Sequence, residues 1–205
     1  DLDVEAASGS RQTAWAALRQ ASHSVVSISE SPAETQTEED PLPPGYGADY
    51  GLLVHNLIQK AVDGVLPDDL EACVRVVADP FEISQEQQSA AISAVEAFKE
   101  SPIWTDLQTA AAVYTEVDVA RPESLMGVSV SRGRIDLVYR VKGGWRIVDF
   151  KTDRARTPAE QAALVRHYAG QVQAYAKHWQ AITRQSVVDT GLWSTETGVW
   201  LPIQS

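Results

Sequence analysis

The sequence predicts an α/β fold in which helices flank a central mixed β-sheet. Helical patterns come first along the chain, a group of β-prone runs follows, and one long helical pattern precedes two further β-prone runs. The β-prone runs alternate apolar and polar residues, as half-buried strands do. Helices on both sides of a group of strands bury their apolar faces against the sheet, so this order predicts a mixed α/β sandwich.

The first 47 residues are predicted to form an N-terminal extension and a linker. A short helical pattern spans about Gln12 to Ala21, and a β-prone run follows from Ser24 to Ile28. Ser29 to Gly47 is rich in Ser, Pro, Glu and Thr, and such a composition buries little apolar surface. We therefore expect the globular domain to span residues 48–205.

Three helices are predicted before the first strand of this domain. Tyr50 to Val62 has apolar residues at helical spacing. Pro67 to Val77 is expected to form a second helix. The third, Ser84 to Glu100, begins at Ser84 with Gln87 three residues later, which is the pattern of a capping box.

Four β-prone runs precede a long helix, and two follow it. Pro158 at the first turn of the long helix favours its start there, and a Lys-Gly-Gly turn at 142–144 joins the third and fourth runs. A Ser-Thr-Glu-Thr-Gly turn joins the last two. The predicted strands are 113–119, 128–130, 134–141, 145–151, 187–193 and 199–203, and the long helix spans 157–182.

The charge of the chain is unevenly distributed. The net charge is −11, yet residues 127–186 contain 11 Lys and Arg and only 4 Asp and Glu. The segment therefore carries +7 and the remainder −18. A basic segment in an acidic chain suits a polyanionic substrate, although solvated strand and helix faces would give the same pattern.

Composition excludes several classes of protein. The chain has no apolar run of about 18 residues, so no membrane-spanning helix is expected. A single cysteine, Cys73, cannot form a disulfide framework or a cysteine-based metal centre within the chain, and it fits a cytoplasmic protein. Because the sequence begins at Asp1 and not at Met, we expect it to be part of a longer polypeptide.

Two neighbouring predicted strands each carry an acid within an apolar run. Asp136 precedes the Lys-Gly-Gly turn, and Asp149 follows it, with Lys151 two residues further on. Residues two apart on a strand leave the same face, so Asp149 and Lys151 are expected side by side. Two carboxylates and an ammonium group could hold a divalent cation and activate water beside it. The alternatives are an exposed Asp136 on an edge strand and a buried ion pair of Asp149 with Lys151 or an arginine.

Two further residues could add to this site. Glu116 could supply a third carboxylate, although its alternation with Thr115 and Val117 also fits an exposed strand position. His55 lies among apolar residues one turn after Gly51, whose small size allows close approach of another element. The alternative is that His55 is a core or surface residue of the helix and not a metal ligand.

One face of the long predicted helix carries two aromatic rings and an amide. Tyr168, Gln171 and Tyr175 have the spacing of residues that share a helix face. Such a face could stack on a nucleic acid strand or form hydrogen bonds with it. The alternative is an amphipathic helix whose tyrosines pack on the sheet.

Taken together, these residues form five motifs in a fixed order. From Ala48 to Ser205 the chain resembles the nuclease domain of RecB/AddA-type helicase–nucleases, in the PD-(D/E)xK superfamily. The resemblance implies a restriction-endonuclease-like core with extra N-terminal helices. The motifs are Gly51-Leu-Leu-Val-His55, Glu116, Gly133-Arg-Ile-Asp136, Asp149-Phe-Lys151-Thr-Asp153 and Tyr168-x-x-Gln171-x-x-x-Tyr175.

The resemblance implies a Mg²⁺-dependent deoxyribonuclease, with Mn²⁺ as a substitute ion because one ligand is an imidazole. The implied metal ligands are His55, Asp136, Asp149 and the carbonyl of Phe150. The implied catalytic residues are Asp136, Asp149, Lys151, Glu116, Gln171 and Tyr175. Among them, Lys151 would orient the attacking water and the scissile phosphate, and Glu116 would act at or near the metal.

The resemblance also implies the partners. Such domains follow a UvrD-like helicase in the same polypeptide, which feeds them single-stranded DNA during double-strand-break repair, and a second helicase–nuclease subunit can take part. The chain has no phosphate-binding loop of its own. The residues expected to contact DNA are Arg132, Arg134, Arg154, Arg156 and Tyr168. The competing hypotheses are an inactive nuclease-like module that binds DNA or a partner protein, and a metal hydrolase that acts on small molecules.

Overall fold

In the computed structural model, which describes residues 45–79, 81–122 and 130–204, four helices precede a five-stranded sheet. A fifth helix lies between its third and fourth strands. The helices are α1 (Ala48–Val62), α2 (Leu70–Ala78), α3 (Gln85–Lys99), α4 (Pro102–Leu107) and α5 (Pro158–Thr183). The strands are β1 (Ala112–Pro122), β2 (Val130–Val141), β3 (Gly144–Lys151), β4 (Val187–Ser194) and β5 (Val199–Pro202).

The sheet is mixed, and its strands follow the order of the chain from β1 to β5. β2 and β3 pair antiparallel, β3 and β4 pair parallel, and β4 and β5 pair antiparallel. The parallel pair requires a crossover, which α5 provides. The predicted α/β class, with a central mixed sheet between helices, is thus confirmed.

The apolar side chains of the sheet belong to separate buried clusters, which they share with different helices. Val148 and Phe150 of β3 belong to a buried cluster with residues of α1 to α4. Ile147 belongs to a second cluster with Tyr175 and Trp179 of α5. Because successive side chains of a strand point to opposite faces, the sheet lies between the two groups of helices. Lys151 lies an even number of residues after Ile147, so its side chain points to the same face of the sheet and contacts Gln171 of α5.

Helix boundaries follow local capping signals. Ser84 and Gln87 form the predicted capping box of α3, and Thr157 forms another with Glu160 at the start of α5. α2 begins at Leu70, later than predicted, because the Asp69 side chain caps its first turn. Capping satisfies backbone N–H groups that have no partner within the helix.

Two predictions differ from the structure in detail. α4 was not predicted, since six residues are too few to show a helical period, yet its Ser-Pro start at Ser101 is a capping signal. Val130, the last residue of the run 128–130, and the whole run 134–141 belong to one strand, β2; residues 128 and 129 lie outside the described part of the chain. The predicted elements at 12–21 and 24–28 lie outside the described residues, and the domain boundary at 48 stays a prediction.

Among the described residues, 45–119 and 134–204 belong to one compact unit, while 120–122 and 130–133 belong to another. Every side chain discussed below lies in the first unit. Within the described part of the chain, no helix is long and apolar enough to cross a membrane.

Candidate active site

Three potential metal ligands from three different elements converge. His55 lies on α1, Glu116 on β1 and Asp136 on β2. One ligand-type atom from each of these residues lies within 4.8 Å of the other two. An imidazole and two carboxylates at this spacing could share one divalent cation.

The main chain of Phe150 links two of these residues. Its buried N–H donates a hydrogen bond of 2.7 Å to Oδ2 of Asp136, and its carbonyl oxygen lies 3.1 Å from Nε2 of His55. When Nε2 carries the ring proton and donates it to this carbonyl, Nδ1 presents a lone pair to Asp136 Oδ1 at 3.4 Å. Nδ1 and Oδ1 are then two hydrogen-bond acceptors that repel each other, and a proton or a cation placed between them would remove this repulsion.

Electrostatic effects raise the pKa of both His55 and Glu116. Burial lowers the pKa of His55, but the neighbouring carboxylates, Asp136 foremost, together raise it by more. Burial raises the pKa of Glu116, and repulsion from Asp136 adds to this effect. The upward shifts show that negative charge is crowded here, which favours binding of a cation.

Asp149 and Lys151 form an ion pair next to this group, with 2.7 Å between Oδ2 and Nζ. Asp149 is only 2% exposed, and apart from this ionic contact its Oδ2 has no hydrogen-bond donor among the described residues. Burial raises the pKa of Asp149 despite the adjacent ammonium group. Burial lowers the pKa of Lys151, but Asp149 and, to a smaller extent, other nearby groups together raise it by more, so Lys151 stays protonated.

The polar face of α5 surrounds the ammonium group of Lys151. Its Nζ donates to Oε1 of Gln171 at 3.4 Å, and Gln171 Nε2 donates to the hydroxyl of Tyr175 at 2.9 Å. The ring centre of Tyr168 lies 3.9 Å from Nζ, and the Tyr168 hydroxyl donates to Asp153 at 3.3 Å. The three predicted residues of this face therefore converge on Lys151.

Glu116 has an unusual backbone conformation for a strand residue. Its φ of 51° lies in the left-handed region, which costs a non-glycine residue roughly 1–2 kcal/mol. Such a residue interrupts the alternation of side chains along a strand. Glu116 is thereby half-buried and pairs with Arg134 on β2, at 3.2 Å between Oε2 and Nη1.

Each predicted DNA-binding arginine whose side chain is described is paired with an acid. Arg134 pairs with Glu116 and Asp118, Arg154 with Glu160, and Arg156 with Glu196. Arg154 and Arg156 line a pocket of about 170 Å³ next to Thr152, directly after Lys151. The side chain of Arg132 lies outside the described part of the structure.

Two contributors to the site were not identified from the sequence. Thr195 donates its backbone N–H and its hydroxyl to the carbonyl of Lys151, which fixes the end of β3 against the β4–β5 turn. Glu196 accepts hydrogen bonds from the N–H of Ala155 and from Arg156. The sequence shows only a turn here, since both contacts join residues about 40 positions apart.

Comparison with known proteins assigns the chain to a family. The family model of the PD-(D/E)XK nuclease superfamily matches residues 28–199. This chain belongs to the PD-(D/E)XK nuclease superfamily. The membership confirms the resemblance that the five motifs indicated.

Curated relatives of this PD-(D/E)XK chain are ATP-dependent helicase/nuclease subunits of the A type. The relative from Anoxybacillus flavithermus is 26% identical over 77% of the chain. The relative from Desulforudis audaxviator is 37% identical over 33% of the chain. The aligned regions span only 13% and 5% of those relatives. A crystal structure of SSO0001 aligns with 72% of each chain at 17% identity and a TM-score of 0.32, a likeness too weak to bear on the site.

Proposed function

We propose that this PD-(D/E)XK domain is a Mg²⁺-dependent nuclease that hydrolyses phosphodiester bonds of DNA. The observation that supports the proposal is the convergence of His55, Glu116 and Asp136 beside the Asp149–Lys151 pair. This set combines the oxygen ligands that Mg²⁺ prefers with an imidazole that Mn²⁺ also accepts. The proposed ligands are His55, Asp136, Asp149 and the Phe150 carbonyl, with Glu116 at or near the ion.

The donor set fits a divalent ion on two structural grounds. The only partner of the buried Oδ2 of Asp149 among the described residues is the Lys151 ammonium, and Nδ1 of His55 faces Asp136 Oδ1. Both arrangements leave electron pairs that a cation would satisfy. When bound, such an ion supplies electrostatic stabilisation of the phosphate and lowers the pKa of a water ligand.

Lys151 is suited to orient the substrate and unsuited to accept a proton. Its raised pKa keeps the ammonium group charged, and the contacts with Asp149, Gln171 and Tyr168 hold it in place. A fixed positive charge stabilises the negative charge that develops on a phosphate oxygen during attack by water. Gln171 and Tyr175 support this position from α5.

The arginines would hold the flanking DNA strand. Phosphates could replace the acid partners of Arg134, Arg154 and Arg156, since all three side chains are at least half exposed. Contacts of this kind bind any sequence and weaken with salt. Arg132 is included in this proposal from its sequence position.

The relatives motivate a proposal for the biological context. Both are named as ATP-dependent helicase/nuclease subunits. We infer that the substrate is single-stranded DNA delivered by a helicase domain of the same polypeptide during double-strand-break processing in the cytoplasm. A second helicase–nuclease subunit is the further partner that we propose.

The cleavage test uses the 205-residue chain, a labelled single-stranded oligonucleotide and Mg²⁺. We expect Asp149→Asn and Lys151→Met to lose about 100-fold or more in rate, because each removes charge next to the reacting phosphate. Lys177→Met, which removes an exposed lysine elsewhere on α5, is the matched control. Equal cleavage by all four proteins would contradict the assignment. If the chain binds DNA without a divalent ion and does not cut it, the result would support the inactive binding module instead.

A further inference from the structure

Arg134 forms an ion pair with Glu116, one of the potential metal ligands. Its Nη1 lies 3.2 Å from Oε2 of Glu116, and its Nε lies 3.0 Å from Oδ1 of Asp118. The guanidinium group therefore bridges two carboxylates of β1. Glu116 also belongs to the group formed with His55 and Asp136. The guanidinium cation of Arg134 therefore contacts a carboxylate that a bound metal ion would also need.

The two anchors of this guanidinium group differ in exposure. The side chain of Asp118 is 82% exposed, whereas that of Glu116 is 22% exposed. Arg134 itself is 58% exposed. Because its donors form a rigid fork, Arg134 can lose Glu116 and keep Asp118, and the freed Nη1 edge would then face solvent.

A divalent cation and Arg134 oppose each other at Glu116. If both contacted this carboxylate, an arginine charge would lie within a few ångströms of the ion, and their repulsion would weaken ion binding. If the ion displaced Nη1, the broken ion pair would reduce the binding free energy. Both routes predict that Arg134 lowers the affinity of the free protein for the ion.

We propose that Arg134 is an internal competitor of the metal ion that holds Glu116 in the ion-free protein and passes to a DNA phosphate when the ion binds. The inference rests on the proposed nuclease function. Arg134 acts through Glu116 and is a positioning residue for the ion. Since coupling between two ligands is reciprocal, DNA that engages Arg134 raises the affinity for the ion, and the ion raises the affinity for DNA.

The first experiment measures Mn²⁺ binding to the free 205-residue chain by calorimetry at constant ionic strength. We expect Arg134→Met to bind Mn²⁺ up to about fivefold more tightly than wild type, the gain that release of an exposed ion pair gives. Arg140→Met is the matched control, because Arg140 is an exposed arginine of the same strand that lies over Trp145. Arg134→Gln should act as Arg134→Met does, and melting curves show that each variant is folded.

A second background separates the proposed route from general charge effects. In Glu116→Gln the carboxylate that Arg134 holds is absent. We therefore expect Arg134→Met to change the Mn²⁺ affinity of Glu116→Gln by no more than Arg140→Met does. Tightening of equal size in both backgrounds would overturn the role of Glu116.

The outcomes distinguish this inference from the proposed function. If wild type binds Mn²⁺ and Arg134→Met binds no more tightly than Arg140→Met, the competitor role is overturned and the nuclease proposal stands. If no protein of the series binds Mn²⁺, both proposals fail. Tighter binding by Arg134→Met that depends on Glu116 supports the inference.

The transfer of Arg134 to DNA has its own test. In the Lys151→Met background, which suppresses cleavage, the affinity for single-stranded DNA is measured against salt concentration with EDTA and then with Mn²⁺. One additional phosphate contact steepens the salt dependence by about one unit. We expect Arg134→Met to remove about one unit of slope with Mn²⁺ and none with EDTA, and equal losses under both conditions would overturn the transfer.

Discussion

At Asp149, burial and a neighbouring charge act in opposite directions on one carboxyl group. Burial raises its pKa, the Lys151 ammonium lowers it, and the net shift is upward from 3.8 to about 6. Between these two pH values the folded chain therefore binds more protons than the unfolded chain. The contribution of Asp149 to stability is fully present below 3.8 and is lost as the pH rises through about 6.

Asp149→Asn tests this pH dependence. The variant lacks the titrating group, so its melting temperature minus that of wild type should rise with pH from 3.8 to about 6 in ion-free buffer. Thermal unfolding with EDTA is the measurement. Asp68→Asn, an exposed carboxylate before α2, controls for the loss of a charge. A difference that falls with pH would contradict the raised pKa.

Tyr168 has two possible roles that kinetics can separate. Its ring lies 3.9 Å from the Lys151 ammonium, and a cation–π contact of this kind contributes about 0.5–2 kcal/mol. If the ring positions Lys151, Tyr168→Leu lowers kcat about threefold to thirtyfold and leaves KM unchanged. If it stacks on DNA, as the sequence predicted, KM rises instead. Tyr168→Phe keeps the ring and should retain most of the activity.

The site residues differ in how far the sequence could predict them. Asp136, Asp149 and Lys151 follow from local rules, since a short turn makes neighbouring strands and a spacing of two makes a shared face. The residues alone offered Glu116 and His55 only as candidates, and the family resemblance placed them at the site, because no local pattern joins α1 or β1 to the two acids. The pairs Arg134–Asp118 and Arg156–Glu196 depend on tertiary packing and could not be predicted.

At the scale of elements, α1 reaches the site because a glycine lets it approach β3. A Cβ atom at Gly51 would lie 3.2 Å from Oγ1 of Thr152, closer than ordinary contact distance. His55 follows one turn later on the same helix. The close approach of α1 to the residue after Lys151 therefore sets the distance between the imidazole and the acids.

Gly51→Leu tests this contact, with Gly170→Leu as the matched control. Both glycines lie within helices, but a Cβ atom at Gly170 on α5 would meet nothing within 4 Å. Gly170→Leu should stabilise the protein by roughly 0.5–1 kcal/mol through helix propensity. Gly51→Leu should be less stable than Gly170→Leu by at least about 1 kcal/mol, because it overpacks the contact. Urea unfolding measures both, and equal stabilities would contradict the close approach.

Element prediction succeeded where the local signal was strong. The proline at the start of α5 located this long helix to within a residue. β2 was divided into two runs, since the residues between them include Arg132 and Gly133, which interrupt the apolar alternation. β2 lies between β1 and β3 in the sheet, and pairing with neighbouring strands is a nonlocal interaction that a single-strand pattern does not contain.

At the scale of the whole molecule, the fold brings two carboxylates and an imidazole together, and a bound cation would relieve the repulsion between the carboxylates. His55, Glu116 and Asp136 come from distant parts of the chain and meet in one group. Unfolding separates them, so an ion that needs all three binds the folded state alone. Such binding stabilises the fold by mass action.

Mg²⁺ should therefore raise the melting temperature of wild type. At 100 times its dissociation constant the ion adds about 2.7 kcal/mol to the free energy of unfolding. Asp136→Asn should lose most of this gain, whereas Glu71→Gln, which changes an exposed acid of α2, should keep it. Differential scanning calorimetry with Mg²⁺ and with EDTA makes the comparison. A wild-type melting temperature unchanged by Mg²⁺ and Mn²⁺ would contradict a metal site.

The buried N–H of Phe150 donates a hydrogen bond to the carboxylate of Asp136, a side chain of the adjacent strand β2. A short bond to a charged acceptor draws electron density away from the proton. In an NMR spectrum this amide resonance should stand downfield of the other strand amides and move when the charge on Asp136 is neutralised. One backbone signal thus reports on the charge of the proposed metal site without a bound substrate.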